Sequence, residues 1–264
     1  MIYNEPKFTA AGDQFLIMEI GTDMGLRANC KVIELDRLLG EANIKGVYNS
    51  VPSWRSLMIQ YDYDLITFED LKKELLKLWN STGEVSVVPS RIVEIPIRYG
   101  GKYGTDFAQT AEYNDMTEAE AIATHSGELQ WVGLVGFVPG HPFIRPLRTD
   151  KRLQGKIYTV PRTYTPQGVI GLGGVTTTIY TVPTSGGYAK LAYMPVELYD
   201  PFQLHPDFQH RAALLKAGDR IKFRPIDDDE VDSIRQEFRE RKYRFKITEG
   251  EFDVAAYLEG GLKK

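Results

Sequence analysis

The chain has 264 residues, a length suited to about two domains at roughly 150 residues each. Its 42% hydrophobic and 26% charged composition supports a buried core large enough to offset the ordering entropy of the chain, which excludes wholesale disorder. With 36 acidic against 32 basic residues and a formal net charge of −4, phosphate neutralisation does not drive this protein, and no nucleic-acid partner is expected.

The start, Met1-Ile2-Tyr3-Asn4-Glu5, has no basic segment followed by an apolar core, so no secretory signal is expected. Gln14 to Ile20 reads as a strand, with Phe15 and Ile17 on one face and Leu16, Met18 and Ile20 on the other. From Leu26 to Leu39 the spacing is helical. Leu26, Cys30, Ile33 and Leu38 form the stripe, and Gly40 follows as a stop. Ile44 to Val51 and Ser56 to Tyr61 read as two further strands. Thr67 and Asp70 then form a capping-box pattern before Leu71, Leu75, Leu78 and Trp79 at helical spacing. Val85 to Val88 closes the series as a short strand. The order β-α-β-β-α-β predicts a split βαβ sandwich over residues 1–90, with two helices on one face of a four-stranded antiparallel sheet.

Residues 91–226 have a different texture. Helices are expected at Asp106–Glu112 and Thr117–Thr124. The remainder is rich in Val, Ile, Tyr, Thr and Gly, with strands such as Gln130–Phe137 and Lys190–Met194. Turn signals at Pro139-Gly140, Pro166-Gln167-Gly168, Gly173-Gly174 and Gly186-Gly187 separate the strands. Many short strands with glycine corners predict a closed barrel, since closure removes unpaired edges. Residues 227–264 read as a charged C-terminal extension, with one polar helix at Val231–Phe238 and a short segment at Phe252–Leu258. Nowhere does an apolar run approach the ~20 residues of a membrane helix, and Cys30 is the sole cysteine. No membrane partner and no disulfide framework are therefore expected, and a cytoplasmic setting is.

Motifs that carry chemistry are few. No Gly-x-x-x-x-Gly-Lys-Ser/Thr loop, His-Glu-x-x-His helix or Gly-x-Ser-x-Gly elbow occurs. The four histidines, His125, His141, His205 and His210, show no metal-ligand spacing. No cofactor is therefore expected to be bound by a recognised motif, and no metal site is expected.

Three segments stand out. His125, between the capped segment Thr117-x-x-Glu120 and Gly127, suits either a proton donor and acceptor or a cap on the helix dipole. Gly136-Phe137-Val138-Pro139-Gly140-His141-Pro142-Phe143 is conformationally constrained. It either holds Phe137, Gly140 and His141 against a ligand or forms a rigid corner. In Pro161 to Gly174, Arg162 offers a planar fork for a carboxylate or phosphate oxygen, with a surface salt bridge as the alternative. Thr165, Gly173 and Gly174 accompany it, and Gly186, Gly187 and Tyr188 form a similar loop. Glycine N–H groups there suit an oxyanion, and tight β turns use the same residues.

Several of these segments, in this order, resemble one known family over nearly the whole chain. They are Gly12-Asp13-Gln14, Ser53-Trp54-Arg55-Ser56-Leu57, Glu94-Ile95-Pro96-Ile97-Arg98-Tyr99-Gly100-Gly101, His125-Ser126, Gly136-Phe137-Val138-Pro139-Gly140 and the glycine loops. The family contains the KipI-type kinase inhibitor, the B subunit of 5-oxoprolinase and the matching part of the urea carboxylase carboxyltransferase region. The resemblance implies an α+β fold, with an N-terminal ferredoxin-like domain followed by a C-terminal cyclophilin-like β-barrel.

It also implies an enzyme subunit working with a KipA-like partner on a small-molecule substrate. Other partners would be either a biotin carboxylase and a biotin carrier or a lactam-hydrolase subunit, with ATP used by partner subunits. The expected function is a biotin-dependent, urea-carboxylase-like carboxyltransferase acting on a small amide or urea-type acceptor. Its alternatives are an ATP-dependent cyclic-amide hydrolase of the 5-oxoprolinase type and a KipI-like kinase inhibitor. The tail from Phe238 to Ile247 and Glu251 to Leu258 resembles the segment that leads to the biotin carrier in urea carboxylases. No Met-Lys-Met motif occurs, so the carrier is expected on another protein. The family's common Gly-Phe-Pro-Tyr run is altered, since His141-Pro142-Phe143 stands there. Within this frame His125 and Arg162 are the expected catalytic residues. Phe137, Gly140, His141, Thr165, Gly173, Gly174, Gly186, Gly187 and Tyr188 would bind substrate.

Overall fold

The computed structural model describes residues 1–147 and 152–261, in two compact units: 1–90 with 250–261, and the described residues between 91 and 249. The first unit starts with β1 (Ile2–Ala10), β2 (Phe15–Gly21), α1 (Leu26–Ala42), β3 (Val47–Pro52), β4 (Ser56–Tyr61), α2 (Phe68–Ser81) and β5 (Val87–Pro89). Alternation puts Leu16, Met18 and Ile20 of β2 and Leu57, Ile59 and Tyr61 of β4 on one buried face. Ala28, Val32, Leu35 and Leu39 of α1, and Leu71, Leu75 and Trp79 of α2, join them in one core. Thr67 caps α2 by accepting from Asp70 N at 3.2 Å, and its hydroxyl donates back to Asp70 Oδ2 at 2.8 Å. The expected reply of the carboxylate to the Thr67 N–H is thus made to the hydroxyl instead.

Two expectations are corrected here. The antiparallel sheet runs β1-β2-β4-β3, so its fourth strand is β1 and not the segment at 85–88. Only Pro6 of β1 is fully buried, and this exposed edge strand carries little hydrophobic signal in the sequence. Gly40 does not stop α1 either. The helix continues to Ala42 and ends where Asn43 turns left-handed, at φ 44°.

The second unit contains β6 (Ile92–Tyr99), α3 (Phe107–Tyr113), α4 (Glu118–Gly127), β7 (Gln130–Val135), β8 (Pro142–Pro146), β9 (Ile157–Thr165), β10 (Val169–Gly173) and β11 (Thr176–Ile179). It continues with β12 (Thr184–Tyr193), β13 (Arg220–Pro225), α5 (Asp228–Arg239) and β14 (Ile247–Thr248). Strands β6-β13-β7-β8-β11-β10-β12 are hydrogen-bonded in that order, and β12 returns to β6. This is a closed seven-stranded barrel. β14 and β9 lie outside the ring, on β6 and β12.

β6 and β13 pair in parallel. At their starts Arg91 forks onto the fully buried Asp219, with bonds of 3.0 and 2.6 Å. α4 opens with a reciprocal capping box between Thr117 and Glu120. Val93, Ile95 and Ile97 of β6, Ile144 of β8, Ile170 and Leu172 of β10 and Phe223 of β13 fill the interior.

The tail is not one appendage. Val231 and Ile234 of α5 and Phe245 are buried in the barrel unit's core. β15 (Glu251–Asp253) and α6 (Val254–Gly261) belong to the first unit, where β15 pairs with β5. Among the described residues, no helix is long and apolar enough to cross a membrane.

Candidate functional site

Strand alternation gives the barrel wall two chemically different faces. Ile144, Ile170, Leu172, Thr177 and Ile179 take one parity of β8, β10 and β11. Phe143, Arg145, Gly171, Gly173, Thr176 and Thr178 take the other. On this outer face two tyrosines lie flat where glycines leave room. A Cβ on Gly173 would enter the Tyr188 ring, and one on Gly186 would meet the Tyr180 hydroxyl and, at 3.0 Å, Thr165 Oγ1.

His141 stands beside this shelf, 2% exposed. Aromatics surround its imidazole, with centroid separations of 5.6 Å to Phe137, 5.1 Å to Phe143 and 5.3 Å to Tyr180. Its Nε2 is hydrogen-bonded to Thr178 Oγ1, which also donates to the Pro142 carbonyl at 2.7 Å. Burial lowers the imidazole pKa from 6.5 to about 4, so the ring is neutral near pH 7. Phe137 is 70% exposed, and its φ of 73° is uncommon for an aromatic residue. Gly140, at φ 70°, brings the same loop against Tyr199.

Arg162 comes from β9 and reaches across to β12. Its Nη2 donates to the Tyr188 carbonyl at 2.7 Å, and its guanidinium stands 5.5 Å from the Tyr158 ring. Burial raises the Tyr180 pKa, opposed in part by the neighbouring Arg162 and Thr165. The half-buried Arg145 guanidinium, bonded to Thr176 Oγ1 at 3.2 Å, lies on the same face.

Three polar atoms on this face are buried without a hydrogen-bond partner among the described residues: His141 Nδ1, Arg162 Nε and Thr165 Oγ1. Buried polar atoms are nearly always paired, so such a concentration points to a ligand-binding surface. Among the described residues no group of His, Cys, Asp or Glu is arranged to hold a metal.

His125 lies elsewhere. At the end of α4 it enters the barrel interior and is 4% exposed. Its Nδ1 is 2.7 Å from Tyr99 Oη and its Nε2 2.9 Å from Thr177 Oγ1, while the ring stacks on Phe223 at 4.9 Å. Burial lowers its pKa from 6.5 to about 4. Thr177 and Thr178 are consecutive residues on β11, so the histidines they bond lie on opposite sides of one strand.

Residues 6–209 match the family described as carboxyltransferase domain, subdomain C and D. The chain belongs to that family. The 5-oxoprolinase B subunit of Bacillus subtilis (strain 168) is 28% identical, across 86% of this chain and 95% of that protein. The urea amidolyase of Lachancea kluyveri is 27% identical, across 96% of this chain but 15% of that much longer protein. The solved urea carboxylase of Kluyveromyces lactis superposes with a TM-score of 0.81 at 20% identity, over 98% of this chain and 26% of that one. The chain thus spans about a quarter of that solved protein, with which it shares its fold.

Within this carboxyltransferase domain, Arg162, Phe137, Gly140, His141, Thr165, Gly173, Gly186, Gly187 and Tyr188 all belong to the outer face or the loops and strand that border it. Gly174 is at the turn between β10 and β11, and its N–H donates to the Gly155 carbonyl at 2.9 Å. It is therefore not an open oxyanion donor. His125 is separated from Arg162 by the barrel wall. Sequence reasoning did not single out Thr178, Arg145 or Tyr180. The alternating pattern of Thr176-Thr177-Thr178 was the available signal, since it sends one hydroxyl inward between two outward ones.

Proposed function

We propose that this chain is the carboxyltransferase component of a biotin-dependent, urea-carboxylase-like assembly acting on a small amide or urea-type acceptor beside a KipA-like partner. The observation that carries this reading is the group of three buried, unpartnered polar atoms around Tyr180. An amide or urea edge presents a carbonyl oxygen next to an N–H, and so offers both an acceptor and a donor to such a set. Arg162 is assigned to the oxygen, where its N–H stabilises negative charge as it develops. With Arg145 it supplies the positive charge that a carboxyl group needs. Biotin on a separate carrier supplies that carboxyl group, and ATP is used by partner subunits. His125 is assigned a structural place, holding α4 in the barrel. The N-terminal unit is read as a ferredoxin-like variant with β1 at its edge, the barrel as cyclophilin-like, and the setting as cytoplasmic.

A second reading, a component of an ATP-dependent cyclic-amide hydrolase, is favoured by a match spanning 95% of the Bacillus subtilis protein. The first reading draws support from the urea amidolyase match, which extends over 96% of this chain against 86%. Affinity purification, identification of the partners and ATP-dependent turnover with and without biotinylated carrier separate the two. Carrier-dependent turnover of a urea-type acceptor is expected. Turnover of 5-oxoproline indifferent to carrier would remove carboxyl transfer in favour of lactam opening.

A further inference from the structure

We propose that Thr178 is a positioning residue that locks His141 as its Nε2–H tautomer, so that Nδ1 is a fixed acceptor selecting ligands with an N–H beside a carbonyl. The assignment follows from counting protons. A threonine hydroxyl carries one, and a carbonyl only accepts. Thr178 Oγ1 donates to the Pro142 carbonyl at 2.7 Å, so in its contact with His141 Nε2 it accepts. Nε2 therefore carries the ring proton, and Nδ1 carries the lone pair.

The surroundings leave that lone pair without a donor. Phe137 and Phe143 offer none, and the neighbouring Tyr180 makes no hydrogen bond to it. His141 is 2% exposed, and Nδ1 has no partner among the described residues. A neutral acceptor held in an apolar wall discriminates strongly, because a ligand lacking the matching donor leaves it unpaired. Arg162 Nε, also buried and unpartnered, is a donor near Tyr180 and so has the opposite polarity. An amide or urea edge supplies the N–H that Nδ1 lacks. The ligand class rests on the reading of this face given under Proposed function; the tautomer does not.

The test uses the full chain with 15N-labelled histidine rings, and the His141 signals are assigned by their loss in His141→Phe. A pyridine-like signal for Nδ1 and a pyrrole-like signal for Nε2 are expected. 2-Imidazolidinone should move the Nδ1 signal, and 1,3-dimethyl-2-imidazolidinone, which keeps the carbonyl but lacks N–H, should bind about tenfold or more weakly. Thr178→Val should release a mixture of tautomers and erase the preference, and Thr178→Ser should restore both. A protonated Nδ1 in the unsubstituted protein would overturn the inference. So would equal binding of the two cyclic ureas, or a Thr178→Val protein with unchanged ring signals. If Thr178→Val does not fold, the signals of the unsubstituted protein and the two ureas decide alone. Selective binding without carrier-dependent turnover would uphold this inference while removing the carboxyl-transfer reading.

Discussion

His125 and His141 make an instructive pair. Both are buried, both have pKa values lowered to about 4 by that burial, and both are bonded through Nε2 to neighbouring threonines of one strand. They differ in what the second nitrogen meets. Inside the barrel, Tyr99 engages His125 Nδ1; on the outer face, His141 Nδ1 has no partner among the described residues. Depressed basicity therefore marks neither residue as functional, because burial produces it in both. The unpaired atom is what separates a core group from a binding group.

The largest effect that would sharpen this contrast is on stability. His125→Ala leaves Tyr99 and Thr177 unpaired beside a cavity against Phe223, and should cost about 4 kcal/mol in chemical denaturation. His141→Phe, in its aromatic collar, should cost less than about 1 kcal/mol. Equal losses would erase the distinction between the two faces. Next comes activity: Arg162→Ala should lower turnover of the reconstituted complex about a hundredfold while the complex still assembles. Unchanged kinetic constants would remove Arg162 from the chemistry. Gly173→Ala drives a methyl group into the Tyr188 ring, for an expected loss of about 2 kcal/mol and a displaced tyrosine visible in near-ultraviolet circular dichroism. An unperturbed spectrum would show that the tyrosine does not lie on the sheet.

The smallest expected effect is on the pH profile. Both imidazoles stay neutral in the fold, whereas in the unfolded chain they take up protons below their ordinary value of 6.5. Their contribution to stability is complete above pH 6.5 and declines as the pH falls towards 4, by up to about 1.4 kcal/mol per pH unit for each ring. His205, also lowered by burial, adds in the same direction. Denaturation midpoints across this window should fall less steeply for His141→Phe. A parallel slope would show that this ring is charged in the fold.

Much of the architecture was legible where one local rule dominates. Alternation located β4 residue for residue, and the Thr117–Glu120 capping box marked the start of α4. Glycine-cornered strands pointed to a closed barrel. β1 escaped because an edge strand with one buried residue has no hydrophobic period to read. Gly40 misled because one exposed glycine near a helix end costs little, and the left-handed exit falls to Asn43 instead. At the site, Arg162, Thr165 and His141 could be singled out by residue type alone. The division between His125 and Arg162 could not. It depends on which parity of β11 faces inward, and barrel closure decides that across more than a hundred residues.

The parallel pairing of β6 with β13 joins residues 92–97 to 220–225. A nascent chain emerging from the ribosome has made β7, β8 and β10–β12 before the last stave of the barrel exists. Until then β6 and β7 each have a vacant edge, the kind of template on which chains aggregate. The distant pairing also slows folding, because loop closure must precede its reward. Rapid clearance of β13 from the exit tunnel, or early shelter by another protein, would therefore govern the yield of correctly closed barrels more than the strength of the finished core.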